Sequence, residues 1–303
     1  MAAYAAPPKW TVMVYMDGDN NLESYVTPDI EQELAVPGSS ADVNVIALAD
    51  RTPGYDTSRG NWTTTKLFYI TNGILADAAH AMADWGERNM ADPQTLIDFV
   101  AWCKTNYPAE HYALSFWDHG WSWHPGWNMA DDTSGDTLEY HEVKNALASL
   151  GFIDVIMYDA CDMASIEMAD LWHGYATAVC GSQEEVGGNG IEYDYVLSRL
   201  VADPTMTADQ VAVAVAQSAI IREARQPFPP LPLTAGLIRC SRRWMNSRQG
   251  CSTACRKIAW RMARPLRQPV RFMTRRTIKT CMTVRTRSLA RSVTRPSKPV
   301  LKR

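Results

Sequence analysis

Through most of the chain, short blocks of consecutive apolar residues alternate with longer stretches in which apolar positions recur every three or four residues. The blocks fall at Trp10–Met16, Val43–Ala49, Lys66–Thr71, His111–Trp117, Ile153–Tyr158 and Ala176–Gly181, and are rich in Val, Ile, Tyr, Phe and Trp. Side chains of these shapes favour an extended backbone, and a block without polar alternation suits a strand buried on both faces. The intervening stretches predict helices over Asp77–Glu87, Asp92–Asn106, Glu139–Leu150, Met163–His173, Ile191–Leu200 and Ala208–Glu223. Asp92 offers an N-cap oxygen, and Pro93 suits the first helical position, where no donor is needed. Strand and helix in regular alternation predict an α/β fold, a mainly parallel sheet flanked by helices on both faces. The pattern stops at a Pro-rich break, Pro227-Phe228-Pro229-Pro230-Leu231-Pro232.

Charge sharpens that division. The 303 residues carry a formal charge of −3, yet every one of the 33 acidic residues lies at or before Glu223. Residues 1–238 hold 10 Lys/Arg against 33 Asp/Glu, whereas residues 239–303 hold 20 basic residues and no acidic one. The two regions need separate explanations. Cysteine is sparse in the first, with Cys103, Cys161 and Cys180 alone, which describes neither a disulfide framework nor a closely spaced zinc site. No apolar stretch is long enough to span a bilayer, and Met1–Lys9 lacks the charged segment and apolar core of an export signal.

Two tetrapeptides carry the chemistry. Trp117-Asp118-His119-Gly120 and Tyr158-Asp159-Ala160-Cys161 each follow an apolar block directly, with Cys161 standing 42 positions after His119. In a parallel sheet the carboxyl ends of strands form one edge, where ligands gather, so a His and a Cys far apart in sequence become neighbours. An imidazole beside a thiol can accept its proton or stabilise the thiolate, and the helix expected from Met163 would add its N-terminal partial charge. The N–H groups of Gly120 and Cys161 could face a developing oxyanion, and glycine after the His would let the backbone approach a substrate closely. The reaction class is acyl transfer: attack on an amide, a thioester, then hydrolysis.

These residues resemble the clostripain-like cysteine peptidases, of the same clan as caspases, gingipains and legumain. The likeness is carried by the run from Trp10 through Met16-Asp17-Gly18-Asp19-Asn20-Asn21-Leu22-Glu23, by Trp117-Asp118-His119-Gly120, by Asp131-Asp132-Thr133-Ser134, by Asp159-Ala160-Cys161-Asp162-Met163-Ala164, and by Gly181-Ser182-Gln183-Glu184-Glu185. Several motifs in order over residues 10 to about 200 are more specific than a lone His-Gly. The resemblance implies a caspase-like fold and an endopeptidase with polypeptide substrates. His119 and Cys161 would form the dyad, and Asp159 would lie in the pocket for the P1 side chain. It further implies cleavage after Arg or Lys, for which a carboxylate at the pocket base is a physical reason, with Glu184 or Glu185 adding negative potential. Secretion or a cell-surface location and a role for calcium are also implied, although no cofactor is required by the dyad itself. The acidic segment Asp131–Asp136 could supply oxygen ligands, but fails EF-hand spacing. Relatives are commonly activated by cutting at a basic residue after the catalytic His, and here no Lys or Arg lies between Lys104 and Lys144.

Plainer readings compete. A strand-end Cys is often a small buried hydrophobe, Cys180 reads as core packing, and a strand-end Asp often only accepts backbone N–H bonds. The remaining His residues, 80, 111, 124, 141 and 173, read as structural or surface groups. Val12–Met16 followed by Asp17-Gly18-Asp19 could open a phosphatase with a carboxylate nucleophile and magnesium; the plainer alternative is a turn that caps a helix starting near Leu22. The sequence thus divides into an N-terminal extension, residues 1–9, a caspase-like peptidase domain, residues 10–238, and a basic tail, residues 239–303. The tail, with Cys240, Cys251, Cys255 and Cys281, has three readings: a reading frame lost after Leu237-Ile238, leaving the domain incomplete; a segment binding nucleic acid or another polyanion; or an unusual domain.

Overall fold

The computed structural model describes residues 6–126, 128–225 and 235–239. Strands β1 (Trp10–Met16), β2 (Val43–Ala49), β3 (Lys66–Tyr69), β4 (Ala83–Asp84), β5 (His111–Trp117), β8 (Ile153–Asp159), β9 (Ala176–Ser182) and β10 (Ala235–Arg239) form one sheet, and β6 (Ala130–Asp131) and β7 (Asp136–Thr137) a small separate ribbon. The sheet order is β10-β9-β8-β5-β1-β2-β3-β4. The five strands from β9 to β2 run parallel, while β3, β4 and β10 are antiparallel to their neighbours. The helices are α1 (Glu23–Pro28), which runs on into a wider π-helical turn over Asp29–Leu34, α2 (Pro93–Asn106), α3 (Tyr140–Leu150), α4 (Ile166–Leu171), α5 (Tyr193–Ala202) and α6 (Ala208–Arg225). No helix among the described residues is long and apolar enough to cross a membrane.

The uninterrupted apolar blocks make strands because both faces of the sheet are covered. All seven residues of β1 and of β2 are buried. Alternate residues then feed two cores. Trp10, Val12, Val14 and Met16 join Val155, Met157 and Cys180 under the α1 turn, α5 and α6, whereas Met13, Tyr15, Leu114, Phe116, Ile156 and Tyr158 pack under α2, α3 and α4. Burying a side chain of this size stabilises by roughly 1.5–3 kcal/mol, so a one-residue slip of a central strand would mismatch both cores at once. Cys103 and Cys180 are fully buried among these residues, and burial alone lifts the Cys180 thiol to about 12. Both are packing groups.

Local chemistry sets the helix starts. Asp92 accepts from Gln94 N ahead of Pro93, and Glu139 and Glu142 form a reciprocal capping box at α3. The helix expected over Asp77–Glu87 is absent. Asp77 instead accepts from the N–H groups of Ala79 and His80, and Met82 N–H donates to Leu67, so the segment turns and adds β4 to the sheet. A side chain that competes for nearby N–H groups favours a turn over a helix. The expected Met163–His173 helix is shortened to Ile166–Leu171, because Ala164 N–H bonds the Ser182 carbonyl and Ser165 is the cap. Strand β10, not anticipated, pairs with β9 beyond the Pro-rich break and ends at Arg239, so most of the basic tail lies outside the described residues.

Candidate active site

The carboxyl ends of β1, β5 and β8 lie side by side, and their hydrogen bonding continues past the strands. Asp17 N–H donates to the Trp117 carbonyl at 3.2 Å, and Asp118 N–H to the Asp159 carbonyl at 3.3 Å. Both tetrapeptides therefore occupy one edge. A Cβ on Gly120 would stand 2.5 Å from the Cys161 carbonyl oxygen, 2.8 Å from Ala160 Cβ and 2.9 Å from the Met163 side chain. Only glycine permits this approach. The sequence suggested that Gly120 makes room for a substrate; in the fold it makes room for the backbone of Cys161.

His119 is positioned from β1 as well as from its own strand. The buried Asn20 side chain donates to Asp118 Oδ1 and to the Ala130 carbonyl, both at 2.8 Å, and accepts from Leu22 N–H at 2.8 Å. Asp118 also accepts from Ala130 N–H. These bonds tie the β1 turn, the His119 loop and the small ribbon together. The neighbouring Asn21 Oδ1 lies 2.8 Å from His119 Nε2. Partial burial lowers the pKa of His119, opposed by the charge of Asp132. The imidazole is thus neutral at neutral pH.

The Cys161 thiol is half-buried, with Sγ accepting from Val186 N–H at 3.2 Å and lying 3.7 Å from the Val186 carbonyl. Burial raises its pKa, the Val186 N–H opposes that, and Asp162, Glu185 and Asp159 raise it further. The resting group is a thiol. The helix dipole expected to favour thiolate does not reach it, since α4 begins at Ile166 and has only six residues. Among the described residues, neither Gly120 N–H nor Cys161 N–H is committed to a backbone carbonyl, whereas Asp162 N–H donates to Glu184 and Ala164 N–H to Ser182.

Asp159 ends β8 as a buried carboxylate beside the ring of Tyr193. Gly190 lies directly on it: a Cβ there would fall 2.2–2.5 Å from the carboxylate, and φ is +58°. The loop from Gln183 to Gly190 consequently covers both Asp159 and, through Val186, the thiol. Glu184 and Glu185 are exposed on this loop. Glu184 touches the Cys161 turn through its carbonyl, and Glu185 through its charge.

The acidic segment does not gather into a metal cradle. Asp131 accepts from Met90 N–H and Ser134 N–H, and Asp136 from Asn89 and Thr137 N–H, so their oxygens serve the turn. Among the described residues no three His, Cys, Asp or Glu side chains converge as metal ligands. Asp17 and Asp19 are fully buried, and Asp17 Oδ1 accepts from Asp19 N–H at 3.1 Å, the turn-forming role. A nucleophile sealed in this way cannot meet a phosphate ester, which removes the phosphatase alternative.

Sequence reasoning missed Asn21, Val186 and Gly190. Asn21 lies inside a quoted motif, where it reads as a turn residue, and the two loop residues touch the site only once β9 and α5 are placed. Comparison with known proteins gives the same fold and family. A secreted C11 cysteine protease from Bacteroides thetaiotaomicron, in complex with an irreversible peptide inhibitor, superposes with a TM-score of 0.60 at 25% identity, over 72% of this chain and 59% of that one. An inactive zymogen C11 protease from Parabacteroides distasonis gives 0.59 at 21% identity, over 78% and 64% respectively, which supports the fold alone. Clostripain from Hathewaya histolytica is 30% identical over 223 residues, 64% of this chain and 42% of its own length, so the chain spans less than half of that relative. The profile of the clostripain family matches residues 14–224, most of the chain and all of the edge just described, and the chain belongs to that family.

Proposed function

We propose that the chain is a cysteine endopeptidase in which Cys161 is the nucleophile and His119 its base. The observation that carries this reading is the contact of the two strand-end tetrapeptides, with Gly120 packed on the Cys161 backbone and, among the described residues, the N–H groups of Gly120 and Cys161 bonded to no backbone carbonyl. The Cys161 proton passes to His119 as Sγ bonds the scissile carbonyl carbon and the carbonyl electron pair moves onto oxygen. Gly120 N–H and Cys161 N–H donate to that oxyanion. Collapse breaks the C–N bond, with the imidazolium proton leaving on the amine, and water hydrolyses the thioester. A neutral imidazole paired with a neutral thiol suits proton transfer during attack, because the base has a lone pair to offer and the nucleophile keeps its proton until then.

The substrate is a polypeptide, cut after Arg or Lys, with Asp159 facing the P1 cation and Glu185 adding negative potential at the rim. The irreversible peptide inhibitor bound by the Bacteroides relative supports a peptide as the ligand. Because Gly190 covers Asp159 and Val186 holds the thiol, the loop from Gln183 to Gly190 must lift when substrate enters. Peptide reporters with P1 Arg, Lys, Asp and Asn, assayed on wild type and on Cys161→Ala, test the reading. Turnover of P1 Arg or Lys that is lost in the variant is expected. Equal turnover by both proteins would remove the mechanism, and preference for P1 Asp would remove the role of Asp159.

A further inference from the structure

We propose that Asn21 is a positioning residue that fixes the tautomer of His119 and so decides which ring nitrogen receives the thiol proton. The inference rests on the reading of His119 and Cys161 as base and nucleophile. Asn21 Oδ1 stands 2.8 Å from His119 Nε2, and a carboxamide oxygen can only accept a hydrogen bond. Nε2 must then carry the proton, and Nδ1 keeps the lone pair. Nδ1 is therefore the proton acceptor from Cys161, and later the donor to the leaving amine. The same Asn21 bond persists when both nitrogens are protonated, so the ring holds one orientation through both proton transfers.

The surrounding bonds give this contact its precision. Asn20, one residue earlier, is buried and bonds the carboxylate of Asp118, one residue before His119. Leu22 N–H and Glu23 N–H bond back to Asn20, which sets the direction of the intervening residue. Two adjacent residues from the β1 end thus engage two adjacent residues from the β5 end, one pair buried and the other at the site. Asn21 itself is exposed and makes no contribution to either core, so its replacement should leave the fold intact.

The charge that acts on the imidazole is that of Asp132, from the turn between β6 and β7, while Asp118, one residue before the ring, is buried and held by Asn20 and by the N–H groups of Ala130 and His119. Asp19, in the turn after β1, accepts from Thr133 N–H of the β6–β7 turn. All three are unchanged in variants at position 21, so differences report on that position. In wild type, nitrogen-15 spectra of the histidine rings, with His119 assigned by its loss in His119→Gln, should show an Nε2–H imidazole. An Nδ1–H imidazole would overturn the proposal without any variant being made. In Asn21→Ala the tautomers should mix, and kcat on a P1-Arg reporter should fall about tenfold with little change in KM, the scale of one lost neutral hydrogen bond. Asn21→Asp keeps the acceptor and adds a charge that stabilises imidazolium, so the acid limb of kcat/KM and the His119 titration should both move to higher pH. An unchanged tautomer in Asn21→Ala, or an unmoved titration in Asn21→Asp, would overturn the proposal. Full activity in His119→Gln would instead bring down the underlying dyad, a distinguishable result.

Discussion

Replacing Gly120 with alanine probes the contact on which the site is built. The added Cβ meets the Cys161 carbonyl oxygen at 2.5 Å, where an ordinary contact needs 3.4 Å or more. The His119 and Cys161 loops must therefore part by about 0.9 Å, since backbone rather than a flexible side chain stands in the way. Both loops resist, being joined by the Asp118 N–H to Asp159 bond one and two residues upstream. Overpacking of this kind costs about 1–3 kcal/mol. A displacement near 1 Å at reacting atoms costs on the order of 100-fold in rate. The expected result is a modest loss of stability in urea unfolding, together with about a 100-fold fall in turnover and a slower alkylation of Cys161 by iodoacetamide. Mass spectrometry separates Cys161 from the buried Cys103 and Cys180, which act as internal references. Stability within about 0.5 kcal/mol of wild type and turnover within twofold would refute the packing argument.

Other outcomes follow from the electrostatics. Arg51 and Glu23 form an ion pair with both side chains fully buried, so Arg51→Met should destabilise by about 3–5 kcal/mol in urea, and Glu23→Gln with Arg51→Met should recover much of that loss. Burial raises Asp50 to about 8, so the protonated form is favoured in the fold. Stability from this group is fully present below an unfolded value of about 4, and it is lost as pH rises through about 8. Asp50→Asn, which can still accept from Arg51 N–H and bond Thr65, should flatten the measured stability across that window; an unchanged slope would count against the assignment. Because burial raises the Cys161 thiol and lowers His119, alkylation of Cys161 should still be climbing above the pH of an ordinary thiol, while the acid limb of turnover lies below the ordinary histidine value. Inflections in the opposite directions would show an ion pair at rest.

The alternation of apolar blocks determined the parallel sheet, because a strand covered on both faces has no polar face to alternate. Trp10–Met16, Val43–Ala49 and His111–Trp117 are strands with the bounds that the apolar blocks mark. Asp92-Pro93 and Glu139 with Glu142 mark helix starts through interactions that span only three residues, so sequence alone reveals them. The 77–87 segment failed that reading because Asp77 captures backbone donors locally while Met82 finds Leu67 across the sheet, a partner no local pattern names. His119 and Cys161 were legible from their place after two strands, since parallel strands deliver their carboxyl ends to one edge. What lies between them was not. The pairing of Asn21 with His119, the seat of Gly120 on Cys161, and the cover of Val186 and Gly190 over thiol and carboxylate join residues from separate strand ends, and only the register of the sheet sets their distances.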